Sequence, residues 1–323
     1  MSQPRCTIAP MARLYVEEWS PEYGASVDTD ESLAPAAGQI DTTVEQSGEW
    51  VPIDGVDDDF PAVAFVDGIR RVDARLTIDD PVSGPVPGIC GSFAAGATLW
   101  RRDPPRSEIQ AVRVERLAIF TEGAASPIPP LDHGLAYKTE SVGSSDPGML
   151  VSHFHTQMRR VEAEIALDLA RSGYFVVADG PISELAAESV VGYIKSHRVS
   201  YLPPEVGVIM GKLEPGQRTP LFAMPSYRRY SWYLRLTRPV GGHSWGGIVR
   251  CEAPGSLSLA QAKLLADRTA ALLPRFASEA HIDPRAPQNL VPIGALEKQL
   301  RARLGDRHII YRALREATMR LPT

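Results

Sequence analysis

The sequence has only three cysteines in 323 residues, Cys6, Cys90 and Cys251, and no Cys-x-x-Cys pair. This spacing excludes a disulfide framework and a zinc ribbon, and it fits a reducing compartment. The N-terminus lacks an apolar leader segment. Nor does the chain contain a run of about 18 apolar residues, the length that crosses a bilayer. Neither export nor membrane insertion is expected, and the chain is read as cytoplasmic. A Walker A loop, a Gly-x-Gly-x-x-Gly after a strand and a His-Glu-x-x-His are also missing, which removes the commonest signatures of nucleotide folds and zinc proteases. There is no excess of positive charge: 34 Lys and Arg face 39 Asp and Glu, for a net charge of −5. A coat of basic surface is excluded, whereas a local basic groove is not.

What is present suffices for one large α/β domain or two smaller ones. Residues 1–60 are acidic and poor in periodic elements, and Asp28 to Asp59 reads as a meandering segment. Its cluster Asp54, Asp57, Asp58 and Asp59 lacks the spacing of a calcium loop and reads as solvated. Residues 61–323 carry the periodic elements and end in a basic helical tail at about 293–320.

The stretch Tyr174 to Ile182 runs through five apolar residues into Asp179, and Gly180-Pro181 then stops it. An unbroken apolar run of this kind suits a strand buried on both faces of an α/β sheet. Pro61 to Gly68 repeats the device and arrives at Asp67-Gly68. Each Asp-Gly pair is also an ordinary turn signal, but two such strands side by side would bring two carboxylates together. Beyond Asp67, Ile69 to Ile78 alternates Val72, Ala74, Leu76 and Ile78 with Asp73, Arg75 and Thr77, and reads as a separate, half-exposed strand.

A third acid belongs to a helix. From Ser152 to Ser172, Phe154, Met158, Val161, Ile165 and Leu169 form one stripe. Glu162 falls within it, whereas Glu164 groups with Arg160 and Asp168 on the wet side. A carboxylate facing a core needs a partner, either a nearby Arg or Lys or a cation shared with Asp67 and Asp179.

Pro81 to Gly88 reads as a loop. Ile89 to Arg101 and Arg113 to Thr121 read as strands, with Arg101, Arg102 and Arg106 at the turn between them as a solvated loop or a phosphate contact. Ser189 to Lys195 is a further strand. Lys195 leaves it beside the acids, as an exposed strand end or as a cation for a scissile phosphate. His197 and Arg198 follow. Leu221 to Met224, Tyr230 to Arg238 and Gly246 to Ala253 read as strands, the last two as partners. Ser258 to Arg275, Ile293 to Leu304 and His308 to Arg320 read as helices. The three acids are the one constellation with a definite chemistry. Oxygen donors select magnesium or manganese over zinc, and pairs of such ions about 3.5–4 Å apart hydrolyse phosphodiesters.

The ordered set Val66-Asp67-Gly68, Met158-Arg159-Arg160-Val161-Glu162, Asp179-Gly180-Pro181-Ile182 and Val191-Gly192-Tyr193-Ile194-Lys195 resembles the NurA nucleases over roughly residues 60–300. The resemblance implies a ribonuclease H-like fold of class α/β: a mixed β-sheet flanked by helices, with insertions and a helical C-terminal part. It further implies a manganese-dependent (or magnesium-dependent) nuclease resecting DNA ends, a homodimer, and a HerA-type hexameric translocase as partner. It places the metal acids at Asp67, Glu162 and Asp179. Two departures stand out. Ile69 replaces the family's serine after Asp-Gly, and the late Tyr-Pro and histidine are absent. The segment Ala286 to Gly294 is the nearest counterpart, so that Asn289 or His281 is expected to fill the histidine's role, with Asn289 favoured by Pro-x-x-Leu spacing. Two other functions fit the same residues. One is a catalytically weakened adaptor or DNA clamp that binds an ATPase, which would have no use for Glu162 on an apolar face. The other is a metal-dependent phosphoryl-transfer enzyme with a small substrate.

Overall fold

The computed structural model describes residues 13–17, 40–56, 59–81, 84–183, 186–195, 201–238 and 245–320. Asp57, Asp58, His197 and Arg198 lie outside the described residues.

Among the described residues, twelve strands form one mixed sheet. In chain order the elements are β1 (Arg13–Val16), β2 (Ile53–Asp54), β3 (Ala62–Asp80), β4 (Gly84–Arg101), β5 (Arg106–Phe120), β6 (Lys138–Ser141), α1 (Gly148–Arg171), β7 (Phe175–Asp179) and β8 (Val190–Ile194). There follow α2 (Pro204–Gly207), β9 (Gln217–Arg218), β10 (Phe222–Met224), β11 (Arg229–Arg235), β12 (Ile248–Pro254), α3 (Leu259–Leu272), α4 (Val291–Leu304) and α5 (Arg307–Met319). The order across the sheet is β2-β9-β11-β12-β8-β7-β3-β4-β5-β6, with β1 on β3 and β10 on β11. Strands β3, β7 and β8 are parallel neighbours, as are β5 and β6, and the remaining pairs are antiparallel. No described helix is long and apolar enough to cross a membrane.

The apolar runs are buried because both faces of the central strands are covered. Val63, Phe65, Phe175, Val177, Val191 and Tyr193 turn to one face, where Ala262, Ala266, Leu290 and Ile293 cover them. Ala64, Val66, Val176 and Val190 turn to the other, against Phe154, Met158, Val161 and Ile165 of α1. Helix α3 starts on a capping box between Ser258 and Gln261. Helix α4 lies across β3, β4 and β5, with Leu296, Leu300 and Leu304 on Ala94, Ile69, Ile109 and Val112.

Three strand readings need correction. Asp67-Gly68 does not end a strand: β3 continues for 19 residues, because β4 pairs with it along the whole length, Asp67 opposite Gly96 and Gly68 opposite Ala95. The expected loop at 81–88 shrinks, since β4 already begins at Gly84. Asp73 is not on a wet face either. A register shift between Val72 and Ala74 marks a bulge, which turns Asp73 inward to complete burial.

Candidate metal centre

Parallel pairing of β3 with β7 ends at Val66 opposite Ala178. The next residues are Asp67 and Asp179, so the two carboxylates stand level on adjacent strands, where β7 stops and β3 loses that neighbour. Gly180 provides the stop, at φ +88°, a conformation that costs a residue with a side chain far more than glycine. By alternation both acids point to the face covered by α3 and α4. Lys195 lies two residues beyond Tyr193, the Cα partner of Asp179. It reaches the same place, with Nζ 2.5 Å from Asp179 Oδ2.

The third carboxylate to close on this pair is Glu297 of α4, which sequence reasoning missed. Single oxygens of Asp67, Asp179 and Glu297 all lie within 4.8 Å of one another, and among the described residues this is the group of acids, histidines and cysteines so arranged. Arg285 grips Glu297 from outside, at 2.9 and 2.6 Å, and also pairs with Asp283 at 3.0 Å. Asn289 is fully buried. Its Oδ1 accepts from Lys195 at 2.9 Å and its Nδ2 donates to Asp283 at 2.7 Å. Tyr193 donates to the Gln288 carbonyl at 2.6 Å and fixes that segment from below. Asn289 thus sits at the cluster, but both ends of its amide are engaged with protein. What it orients is Lys195, rather than the water or phosphate oxygen expected from the sequence.

Glu162 is buried as its helical phase requires, but its partner is a side chain. Arg159 donates to Glu162 Oε2 at 2.8 Å, to the Asp179 carbonyl at 2.7 Å and to the Pro181 carbonyl. Glu162 therefore stands on the α1 face of the sheet, outside the group of three. Only glycine allows it there: a Cβ on Gly68 would meet Glu162 Oε1 at 2.3 Å. Glu164 is exposed and pairs with Arg113 and Arg160.

His281 is not brought to the cluster. Its side chain is 74% exposed and faces Glu279 at 3.4 Å, because the 279–286 turn faces outward and sends only Asp283 and Arg285 toward Asn289 and Glu297. The arginines of the β4–β5 turn are also engaged with protein. Arg101 bonds the Tyr174 hydroxyl at 2.6 Å, Arg102 lies over Trp100, and Arg106 pairs with Glu108 at 2.6 Å.

The electrostatics follow from burial. Desolvation, followed by the charge of Asp179 and then by those of Glu162 and Glu297, pushes Asp67 well above the ordinary aspartate range, against the pull of Lys195. Burial alone would lower Lys195, but Asp179 and Asp67 outweigh it and hold the amine above its usual value. Among the described residues no Lys or Arg forms an ion pair with Asp67, and its Oδ1 accepts from the Gly68 N–H at 2.7 Å. An all-carboxylate donor set with this uncompensated charge fits a hard divalent ion. The signal that could have found Glu297 is the one that found Glu162: Ile293, Glu297, Leu300 and Leu304 share one stripe at helical spacing.

Neither a family model nor a curated protein matches this sequence. Among solved structures, the chain is similar to the NurA nuclease from Sulfolobus solfataricus. It is 10% identical, with a TM-score of 0.44, over 79% of this chain and 86% of that one.

Proposed function

We propose that this chain is a metal-dependent phosphodiester hydrolase of the nuclease class. The observation that carries the reading is the convergence of Asp67, Asp179 and Glu297 on one point, delivered by two sheet strands and a packed helix, with an ammonium at its edge. Rigid elements of this kind hold ligands where loops would not. Asp67, Asp179 and Glu297 would hold the ion, and the ion would supply Lewis-acid polarisation of a phosphoryl oxygen. Lys195, already charged and oriented by Asn289, offers its remaining N–H bonds to a phosphate oxygen that gains charge in the transition state. Arg285, half-exposed beside Glu297, would add positive charge for a flanking phosphate. Burial of Asp67 and Tyr193 keeps the inner wall dry. The motif order shared with NurA nucleases extends the reading to DNA ends as substrate, manganese or magnesium as ion, a homodimer, and a HerA-type hexameric translocase as partner.

The test is an assay of labelled single- and double-stranded DNA with Mn2+, Mg2+ or EDTA, for the wild type and Asp179→Asn. Cleavage that needs the ion and falls by at least about 10²-fold in the variant is expected, the scale of losing one electrostatic stabiliser. Equal cleavage in both proteins would overturn the reading. Retained DNA binding without cleavage in the wild type would point instead to a clamp.

A further inference from the structure

We infer that the centre takes one divalent cation, not a pair, and that Lys195 occupies the place of the second. This rests on the hydrolase reading above and deepens it.

The first ground is charge. Among the described residues, Asp67, Asp179 and Glu297 in their ionised, metal-binding forms leave two net negative charges with Lys195. The flanking pairs do not change that balance, since Arg285 offsets Asp283 and Arg159 offsets Glu162. One divalent ion makes the centre neutral. A second would leave two positive charges in a largely buried site, where uncompensated charge is costly. A single phosphodiester, with one negative charge, would not restore the balance.

The second ground is geometry. Donor oxygens around one octahedral ion, each about 2.1 Å from it, stand at most about 4.2 Å apart. The three carboxylates, with oxygens within 4.8 Å of one another, are already near that span. Two ions about 3.5–4 Å apart need a shared carboxylate and further donors on each outer side. At Asp179 a place is already taken: Lys195 Nζ lies 2.5 Å from Oδ2. Asn289 holds it there at 2.9 Å and is itself braced by Asp283. A chain of hydrogen bonds from the α4 approach to the end of β8 thus fixes an ammonium where a second ion would sit. The ammonium supplies positive charge without having to be recruited from solution.

The test is a titration of the full chain with Mn2+, the free ion being read by electron paramagnetic resonance, for wild type, Lys195→Met and Lys195→Arg. One ion per chain is expected in the wild type and in Lys195→Arg, and two in Lys195→Met, where the place beside Asp179 Oδ2 is vacated. Two ions in the wild type would overturn the inference and leave the hydrolase reading standing. One ion in both wild type and Lys195→Met would also overturn it, since Lys195 would then not be what excludes the second. No bound ion in the wild type would remove the hydrolase reading itself. Should Lys195→Met fail to fold by circular dichroism, the wild-type stoichiometry still decides between one and two.

Discussion

Substituting Asp67 by Asn removes a carboxylate that burial, then Asp179, Glu162 and Glu297, hold above its ordinary range. The sign of the consequence is fixed by linkage. A raised folded-state pKa means that the ionised form costs stability as the pH climbs through that value, and that the cost vanishes below the unfolded pKa of about 3.9. Asp67→Asn should therefore melt higher than the wild type at pH 8 without metal, and the two should converge toward pH 4, while cleavage is lost. A variant that melts lower than wild type at pH 8 would contradict the electrostatics described here. Asn289→Ala, which frees Lys195 from its brace, should lower activity about 10–100-fold, as loss of supporting partners around a metal centre does. Rescue by Asn289→Gln at the same pH would separate orientation of Lys195 from simple loss of packing. Asp67 and Asp179 were legible in the sequence because each ends an apolar run. Glu297 was not, because a helix rich in Lys and Arg reads as solvated unless each acid is tested against the apolar stripe. His281 misled because chain order brings it near Asn289, whereas the turn it stands on faces water.

Helix α4 is held at both ends, and this is what fixes Glu297. At its start, Leu290 is buried and Asn289 is tied to Lys195. At its end, Arg71 donates to the carbonyls of Gly305 and Leu304 at 2.8 and 3.3 Å, and Arg116 to that of Leu304 at 3.0 Å. Cations there also face the negative end of the helix dipole. Both arginines return to one buried anchor. Arg71 donates to Asp73 at 2.8 Å, Tyr137 does so at 2.8 Å, and Ser92 links Asp73 to Arg116. The alternation of β3 gave no hint of this, since a bulge reverses the facing of one residue without changing the composition of the strand. Asp73→Ala should cost about 3–5 kcal/mol in urea unfolding, the scale of stranding the partners of a buried ion pair. Hydrogen exchange should rise first in the last turn of α4. Exchange unchanged there would mean that the arginines do not depend on Asp73.

At the scale of the whole molecule, the centre draws Asp67 from β3, Asp179 from β7 and Glu297 from α4, which are more than a hundred residues apart in the chain. An unfolded chain cannot present these oxygens together, so an ion bound to them stabilises the folded state by mass action. At a free concentration 100 times its Kd, the ion contributes about 2.7 kcal/mol. The melting temperature of the wild type should rise steadily with log[Mn2+] and fall back on adding EDTA. Glu164→Gln should follow the wild type, because Glu164 pairs with Arg113 and Arg160 on the exposed side of α1. Glu297→Gln should lose the rise, as should Asp67→Asn, although its metal-free melting temperature starts higher. Glu162→Gln separates two arrangements of acids. If Glu162 serves through Arg159 and the turn after Asp179, the manganese response persists at reduced slope. If it is a ligand in place of Glu297, the response disappears in Glu162→Gln and survives in Glu297→Gln. That reversal would move the centre to the α1 face of the sheet.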